Sequence, residues 1–376
     1  MKGASGKAYR RRLDRTRSRT SAWDGTRGGL VGGGWDDKAR CSLQRVLSRG
    51  AGQGLPVVFD FDNTIVRGDI GEAVLAFLAR SGRLTPANLS PNLGPPIQIA
   101  GRGTVDVRSC PDLMQYYEAL LTPTAHGRAD PAPLANGYIW ATQALEKLSV
   151  AEVVEATAAA YATANGEGAK RMKQPRAKNA YPPPRFHQEM VELIAELLRL
   201  EYQPWIVSAS NVWSVRWMVA HGLNPLLAQR GVAGLSPQCV IGVATLLADK
   251  KGRLYKDSVL VRQAADYAAL DLNTLDSFRV TAHVQFPAPV YSGKVACIID
   301  ALGRYPYLCA GDSPSDLPML NSSQHKLWIA RTDNPEAQRL VKDWIRRTGA
   351  AGWTFQPMST LACLPVLPVG GSPTKT

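Results

Sequence analysis

Two aspartates one residue apart, Asp60 and Asp62, stand at the end of a short apolar run in the stretch "VVFDFDNT". The run predicts a buried β-strand, and because side chains alternate along a strand, both carboxylates would point the same way. Two like charges held that close repel each other and are costly to desolvate, unless a cation lies between them or one carboxyl keeps a proton. The pair therefore indicates a metal site, acid–base chemistry, or both.

Three further polar clusters follow or open predicted elements later in the chain. "IVSAS" (206–210) ends a second short apolar strand, "SGK" (292–294) opens a helix, and "GDSPSD" (311–316) follows a third strand. Strands that alternate with helices predict a parallel α/β sheet, and such sheets bind ligands at the carboxyl ends of their strands. The sequence thus predicts a Rossmann-like parallel core whose polar strand ends share one site.

Taken in order, these four motifs resemble those of the haloacid dehalogenase-like hydrolase superfamily, in its phosphoserine phosphatase-like and phosphorylcholine phosphatase-like branch. The resemblance covers roughly residues 55–335. It implies a phosphomonoester hydrolase that requires Mg²⁺ and acts through an aspartyl-phosphate on a small phosphorylated metabolite. It also implies a helical cap, inserted between the first and second motifs, that closes over the site and selects the substrate.

Phosphoryl transfer needs a nucleophile, a divalent ion, and cationic or hydrogen-bonding groups on the phosphate oxygens. Asp60 is the predicted nucleophile, and Asp62 is the predicted general acid and base. The resemblance assigns Mg²⁺ to Asp60, to Asp312 and to the backbone carbonyl of Asp62, a set of hard oxygen ligands. Ser208 and Lys294 are the other predicted catalytic residues: Ser208 would donate to a phosphate oxygen, and Lys294 would offset the charge of the phosphate and the aspartates. By resemblance, Thr64 and Asp316 are supporting residues: Thr64 donates a further hydrogen bond, and Asp316 supports the metal shell or orients Lys294.

The lysine role has two competitors, Lys250 and Lys251, in the stretch "ADKKGRLY". These two residues lie in a predicted hairpin turn, where solvated charge is the ordinary interpretation. Lys294 is preferred because it opens a helix next to a strand end, where a point charge can face a phosphate.

Two acids that follow the first motif, Asp69 and Glu72, are the predicted substrate-binding residues. By resemblance, Asp69 stands where phosphoserine phosphatases carry a glutamate facing the substrate amine, and Glu72 is similar to an acid of phosphorylcholine phosphatases. Both would suit a cationic leaving group such as choline or serine by charge complementarity. Aromatic residues could enclose a quaternary ammonium: Tyr116, Tyr117, Tyr138, Trp140 and Trp213. Two alternatives stay open, namely that Glu72 is an ordinary first-turn helix acid and that the cap aromatics only pack together.

The net charge of +13 is concentrated at the N-terminus, because residues 1–50 hold 13 Lys/Arg and 4 Asp/Glu. Residues 1–54 are predicted to be a basic disordered arm, so nucleic acid is not a predicted partner of the remaining chain. Residues 55–70 and 186–360 are predicted to form the hydrolase core, residues 71–185 the helical cap with its linkers, and residues 361–376 a disordered tail. No secretory h-region and no run of ~18 apolar residues is found, so we expect no membrane association and a cytoplasmic location.

Two other functions stay open at this stage. A phosphotransferase or mutase would pass the phosphoryl group of Asp60 to another hydroxyl instead of water. A catalytically inactive, nucleic-acid-associated binding protein would bind through the basic arm in a salt-dependent way, although the intact acids of all four motifs argue against it. The six cysteines and five histidines are dispersed without metal-binding spacing, so no zinc site is predicted.

Overall fold

A six-stranded parallel sheet forms the centre of the protein. The computed structural model describes residues 29–99, 103–121, 137–164, 181–261 and 272–367. Its strands are β1 (Pro56–Phe59), β2 (Val66–Arg67), β3 (Ile97–Ile99), β4 (Gly103–Val105), β5 (Arg185–Phe186), β6 (Gln203–Asn211), β7 (Val240–Val243), β8 (Thr245–Ala248), β9 (Leu254–Tyr255), β10 (Arg279–Val284), β11 (Leu308–Gly311), β12 (His325–Ala330) and β13 (Trp353–Pro357).

The helices alternate with these strands as the sequence predicts. They are α1 (Asp37–Gly50), α2 (Ile70–Arg80), α3 (Leu113–Leu121), α4 (Gly137–Gln143), α5 (Val150–Ala162), α6 (Gln188–Arg199), α7 (Val212–Met218), α8 (Asn224–Ala228), α9 (Leu272–Asp276), α10 (Ser292–Leu302), α11 (Leu317–Ser322) and α12 (Pro335–Thr348). The large sheet has the order β13-β12-β11-β1-β6-β7, and every neighbouring pair in it is parallel. The predicted α/β fold with a parallel core is confirmed.

Both faces of this sheet are covered, which explains why its central strands are apolar throughout. Every residue of β1 and β11 is buried. Because side chains alternate along a strand, Val58 and Cys309 pack on one face with residues of α10, α11 and α12. Val57 and Phe59 point to the opposite face, into the larger core that includes Leu43 of α1. Covered faces of this kind are the rule for parallel sheets.

The described residues between the first two motifs form the helices α2 to α6 and the short strands β2 to β5. Residues of α2, α3 and α4 line a pocket together with Ser210 in the last part of β6, so these three helices lie next to the carboxyl edge of the sheet. A second segment joins them: β8, β9 and β10 form a separate antiparallel sheet. The backbone N–H groups of Lys147 and Val150 donate to the carbonyls of Val280 and Phe278, both at 2.9 Å. The start of β10 and the residue before it thus lie against the segment that joins α4 to α5, in the predicted cap, although the sequence placed β10 within the core range 186–360.

The predicted disordered arm, residues 1–54, is wrong for its second half. Residues 37–50 form the helix α1, capped by the Asp36 side chain, which accepts from the backbone of Lys38 and Ala39. Buried Leu43, Val46 and Leu47 anchor this helix to the core. The Arg- and Gly-rich composition of the arm hid this short amphipathic pattern, whose apolar face is stabilised only by packing. Residues 1–28 lie outside the described part of the chain.

Two glutamates of α6 also fix the segment before α1. The Glu189 carboxylate accepts from the backbone N–H of Gly34 at 3.0 Å and from that of Ala362 at 3.0 Å. Glu192 accepts from the backbone of Val31 at 2.8 Å and from the Trp35 indole at 2.7 Å. Through these bonds α6 holds residues 31–35 and Ala362, which are both far from it in the sequence.

The predicted disordered tail, residues 361–376, is wrong for its first seven residues. Leu361 and Val366 are buried, and the Leu364 backbone N–H donates to Phe186 at 2.8 Å. Residues 368–376 lie outside the described part of the chain. Within the described ranges, no helix has the length and apolar character that crossing a lipid bilayer requires.

Candidate active site

The carboxyl ends of four adjacent strands form the candidate active site. Asp60 follows β1, Asp312 follows β11 and Arg331 follows β12, while Ser208 and Ser210 lie in the last part of β6. Because these strands are neighbours in the order β12-β11-β1-β6, their ends meet at one edge of the sheet. Side chains that are far apart in the sequence are thereby brought into direct contact.

Asp60 is buried and held by two donors. The Lys294 Nζ donates to its Oδ1 at 2.6 Å, and the Thr64 Oγ1 donates to its Oδ2 at 3.2 Å. The same Thr64 hydroxyl lies 3.3 Å from Asp312 Oδ1, so it bridges the two carboxylates. Burial and the charge of Asp316 raise the pKa of Asp60 to about 7, although Lys294 acts to lower it. Asp60 is thus a carboxylate that requires positive charge beside it to stay ionised.

Lys294 reaches Asp60 from the first turn of α10. A Cβ atom on the preceding Gly293 would lie 2.0 Å from the Ala288 carbonyl oxygen, so only glycine permits this close helix start. Lys294 is buried, and burial alone would lower its pKa, but the neighbouring carboxylates raise it. Lys250 and Lys251, the competing lysines, are exposed beside the β8–β9 turn. The structure brings only Lys294 to the predicted nucleophile.

Asp316 connects Lys294 to the end of β11. Its Oδ1 accepts from Lys294 Nζ at 2.6 Å, and its Oδ2 accepts from the backbone N–H groups of Asp312 and Ser313 at 3.1 and 3.0 Å. A Cβ atom on Gly311 would lie 2.6 Å from the Cβ of Asp316, so glycine is required for this approach. Of the two roles predicted for Asp316, these contacts favour the orientation of Lys294.

Asp62 has a separate set of partners. Its Oδ2 accepts from Ser208 Oγ at 3.1 Å and from Ser210 Oγ at 2.7 Å, and its Oδ1 accepts from the Ile70 backbone N–H at 2.8 Å. The two serines are two residues apart on β6 and therefore face the same way. Burial, followed by the charges of the neighbouring aspartates, raises the pKa of Asp62 well above its usual range. A carboxyl in this setting can hold a proton near neutral pH.

Ser208 was predicted to donate to a phosphate oxygen, and in this structure its hydroxyl donates to Asp62 instead. Ser210, which the sequence analysis did not name, donates to Asp62 at 2.7 Å and also lies 3.4 Å from Asp69 Oδ1. Its place two residues after Ser208 on the same strand was the signal that could have identified it.

The carboxylates of this edge fit a divalent cation. Oxygens of Asp60, Asp312 and Asp316 lie within 4.8 Å of one another, and carboxylate oxygens are ligands that Mg²⁺ prefers. All three carboxylates accept hydrogen bonds, but Asp316 is held by Lys294 and by two backbone N–H groups, whereas Asp60 and Asp312 share the rotatable Thr64 hydroxyl, so the geometry favours Asp60 and Asp312 as ligands. The Asp62 side chain faces the serines, which leaves its backbone carbonyl as the predicted donor.

The charges at this edge of the sheet also favour a bound divalent cation. Burial and the charges of Asp316 and Asp60 raise the pKa of Asp312 well above its usual range, despite its contact with Arg331. Within the described residues, three buried aspartates contact two cationic side chains: Asp60 and Asp316 pair with Lys294, and Asp312 pairs with Arg331. A divalent cation would offset this imbalance.

Arg331 is a site residue that the sequence analysis missed. Its Nη1 donates to Asp312 Oδ2 at 3.1 Å, while its Nε and Nη2 each donate to the Asp333 carboxylate at 3.0 Å. This two-point contact with Asp333 fixes the plane of the guanidinium. The position of Arg331 directly after a buried strand was the available signal, because strand ends in a parallel sheet meet at the site.

A second group of acids lies under the cap, next to Asp62. Asp69 caps α2, since its side chain accepts from the Glu72 backbone N–H at 2.8 Å. Glu72 Oε1 accepts from the Tyr117 hydroxyl at 3.2 Å. Burial, followed by the Asp69 charge, raises the pKa of Glu72 to about 8. A pocket next to the sheet edge is lined by side chains that include Asp69, Glu72, Tyr117, Tyr138, Thr142 and Ser210.

The cap aromatics divide into two groups. Tyr117 and Tyr138 line this pocket, so the structure brings them to the predicted substrate acids. Tyr116 and Trp140 instead pack against each other at 5.2 Å and donate to carbonyls of the residues before α3, at 2.6 Å each. Trp213 is buried and donates to Asp257 at 2.8 Å. Tyr116, Trp140 and Trp213 therefore pack inside the protein and do not line the pocket.

Comparison with known proteins agrees with this geometry. The chain is 28% identical over 310 residues to the phosphorylcholine phosphatase of Pseudomonas aeruginosa, and the alignment covers 79% of this chain and 80% of that protein. No protein-family model matches the chain.

Among solved structures, the chain is similar to a conserved protein of unknown function from Anaerococcus prevotii DSM 20548, at a TM-score of 0.55 and 16% identity, over 89% of this chain and 98% of that one. This likeness concerns the fold alone. The similarity of the sequence to a phosphorylcholine phosphatase, and the four motifs at one edge of a parallel sheet, agree with the predicted resemblance to haloacid dehalogenase-like hydrolases in the branch of the phosphoserine and phosphorylcholine phosphatases.

Proposed function

We propose that this protein is a Mg²⁺-dependent phosphomonoester hydrolase that forms an aspartyl-phosphate on Asp60. Its substrate is a small phosphorylated alcohol with a positive charge, such as phosphorylcholine or phosphoserine. The observation that carries the proposal is that Asp60 and Asp62, which are separated by one residue, have different hydrogen-bond partners. Asp60 lies against Lys294 and Thr64 beside Asp312, whereas Asp62 is held by serines and keeps a raised pKa.

In the first half of the reaction, a carboxylate oxygen of Asp60 attacks phosphorus. The bond between phosphorus and the leaving oxygen breaks, and Asp62 transfers its proton to that oxygen, so the alcohol departs neutral at oxygen. Lys294 keeps the Asp60 carboxylate oriented through its 2.6 Å contact with Oδ1. The raised pKa of Asp62 favours the protonated form that this step requires.

In the second half, Asp62 accepts a proton from a water molecule, and the water oxygen attacks phosphorus. The bond between phosphorus and Asp60 breaks, which regenerates the carboxylate and releases inorganic phosphate. Ser210 and Ser208 hold the Asp62 carboxylate in place for both transfers, at 2.7 and 3.1 Å. The sum of the two halves is one ester plus one water, giving one alcohol and one phosphate.

Positive charge at the sheet edge would face the phosphate. Mg²⁺ would be held by Asp60 and Asp312, and when bound it supplies charge against the phosphate oxygens. Arg331 adds a guanidinium at 3.1 Å from Asp312, and guanidinium groups bind phosphate oxygens strongly. Lys294 adds an ammonium group at 2.6 Å from Asp60 Oδ1. These groups account for recognition of the phosphate half of a substrate.

The alcohol half of the substrate would enter the pocket under the cap. Asp69 and Glu72 place carboxyl groups there, and Tyr117 and Tyr138 supply aromatic walls, a combination that suits a cation. A bound cation would in turn favour the charged form of both acids. The name of the Pseudomonas aeruginosa relative, phosphorylcholine phosphatase, agrees with this charge pattern. A cytoplasmic location remains a prediction from the sequence.

The test is release of inorganic phosphate from p-nitrophenyl phosphate, phosphorylcholine and phosphoserine, with Mg²⁺ and with EDTA. We expect Asp60→Asn to lose at least about 10⁴-fold in kcat, because the nucleophile is removed. Asp37→Asn, an acid on α1 whose side chain is 86% exposed, is the matched control and should behave as wild type. Activity that persists in Asp60→Asn would contradict the proposal. Transfer to an added acceptor alcohol in preference to water would indicate a phosphotransferase.

A further inference from the structure

We infer that the Thr142 hydroxyl determines which ammonium group the cap pocket accepts, favouring a primary ammonium, which carries N–H donors, over a quaternary one. This inference rests on the proposed function and concerns the alcohol half of the substrate. Thr142 lies on α4, one of the cap helices, and lines the pocket together with Asp69 and Glu72.

The Thr142 hydroxyl is an unsatisfied polar group. Its residue is 1% exposed, and its Oγ1 has no hydrogen-bond partner within the described part of the chain. Buried threonines in helices commonly donate to the carbonyl four residues earlier. Thr157 on α5 does so, donating to Val153 at 2.8 Å, with Ser214 Oγ at 2.7 Å. A buried hydroxyl without a partner is costly, so an occupant of the pocket that bonds to Thr142 would be favoured.

The pocket is placed to hold the leaving alcohol and not the phosphate. Ser210 lines it, and the same Ser210 hydroxyl donates to Asp62 Oδ2 at 2.7 Å. Asp62 is the proposed acid that protonates the leaving oxygen, so the group attached to that oxygen lies next to Ser210. An ammonium a few bonds from the leaving oxygen would therefore reach Glu72 and Thr142.

Hydrogen bonding in the pocket favours a cation with donors. A primary ammonium has three N–H donors, which can bond to Glu72, to Asp69 and to the lone pairs of Thr142 Oγ1. A trimethylammonium group has no N–H donor and would leave the Thr142 hydroxyl unsatisfied.

The experiment compares kcat/KM for phosphorylethanolamine and phosphorylcholine, two esters that differ only in the methyl groups on nitrogen. We expect wild type to prefer phosphorylethanolamine. Thr142→Val keeps the side-chain volume and removes the hydroxyl, so it should lower the ratio of the two kcat/KM values by about 10-fold, the loss of roughly one hydrogen bond to a charged group. Thr142→Ser keeps the hydroxyl and should retain the wild-type ratio.

Thr157→Val is the matched control. It removes a buried cap hydroxyl that already has partners outside the pocket, so it should lower the thermal unfolding temperature and leave the substrate ratio unchanged. Thr142→Val should show the opposite pattern, with an unfolding temperature equal to or above wild type, because it removes an unpaired buried hydroxyl.

The outcomes separate this inference from the proposed function. An unchanged ratio in Thr142→Val, or a wild-type preference for phosphorylcholine, would overturn the inference alone, provided that hydrolysis of p-nitrophenyl phosphate still depends on Asp60. Hydrolysis of p-nitrophenyl phosphate without hydrolysis of either amine ester would likewise overturn it. Loss of the Asp60 dependence would overturn the proposed function, and the inference with it.

Discussion

The sheet edge and the cap pocket hold acids in opposite electrostatic settings. At the edge, Asp60 and Asp316 share Lys294, and Asp312 contacts Arg331. In the pocket, Asp69 and Glu72 form no ion pair with a lysine or arginine of the described ranges, and the pKa of Glu72 is raised to about 8 by burial and by the Asp69 charge. One region offers cations to an anion, and the other offers acids to a cation.

This contrast matches the two halves of a charged phosphomonoester. Phosphate needs positive charge and hydrogen-bond donors, whereas an ammonium needs acids and acceptors. Asp62 and Ser210 lie between the two regions, where the bond between phosphorus and the alcohol oxygen would break. Variants at the sheet edge should therefore affect all phosphomonoesters alike, whereas variants in the pocket should separate one substrate from another.

The largest effect in this comparison is expected from Lys294→Met. The substitution removes the only cation in direct contact with both Asp60 and Asp316 in the described structure, so kcat should fall by about 10²–10³-fold or more. The loss should be equal for p-nitrophenyl phosphate and phosphorylcholine, measured as initial rates. Lys294→Arg keeps the positive charge but places it on a planar guanidinium group, so its kcat should fall less than that of Lys294→Met. A loss of activity confined to phosphorylcholine would contradict the division of the site into a sheet edge that binds phosphate and a cap pocket that binds the ammonium group.

A smaller loss, again shared by all substrates, is expected from Arg331→Met. Methionine keeps part of the length but removes the guanidinium that contacts Asp312 at 3.1 Å. We expect kcat/KM to fall by about 10–100-fold, the range of one strong charged contact. Arg346→Met, on α12 with a side chain that is 76% exposed, is the control and should leave kcat/KM unchanged. Full activity in Arg331→Met would show that the guanidinium serves only to position Asp312.

The smallest and most selective effect is expected from Glu72→Gln. Glutamine can still accept from the Tyr117 hydroxyl, so geometry is kept while the charge is lost. The kcat/KM for phosphorylcholine, divided by that for p-nitrophenyl phosphate, should fall by about 10-fold.

The pH profile gives a second measurement on the same variant. The pKa of Glu72 is raised to about 8, so its carboxylate gains charge as pH rises through that value. In wild type, the preference for the cationic ester should therefore increase between about pH 7 and pH 9. Glu72→Gln should flatten this rise. An identical rise in the variant would assign it to another group.

The N-terminal region shows where composition misled the interpretation of the sequence. Thirteen basic residues among the first fifty predicted disorder, and yet α1 packs Leu43 and Leu47 into the core. The segment before it is fixed by Glu189 and Glu192, more than 150 residues away in the sequence. A short amphipathic helix is marginal in isolation, so the partner surface decides whether it forms.

The sequence by itself determined the parallel core and the identity of the motif residues. Asp60, Asp62, Ser208, Lys294 and Asp312 were identified because four motifs resemble, in order, those of the haloacid dehalogenase-like hydrolases, and local apolar patterns placed each motif at the end or start of an element. Parallel strands place such ends at one edge, so the meeting of these side chains follows from element order. The role of each residue in catalysis remains a prediction that the variants above address.

Only the tertiary structure decided which partner each of these groups has. Arg331, Ser210 and Thr142 carry no distinctive motif, and their importance comes from contacts with Asp312, with Asp62 and with the pocket. The packing of the antiparallel β8–β10 sheet against the cap helices is likewise a long-range arrangement. Burial and the distance between charges, which set the pKa of a carboxyl, depend on the folded chain. Local pattern identified the acids, and three-dimensional packing determined which of them face a cation of the protein and which face a pocket.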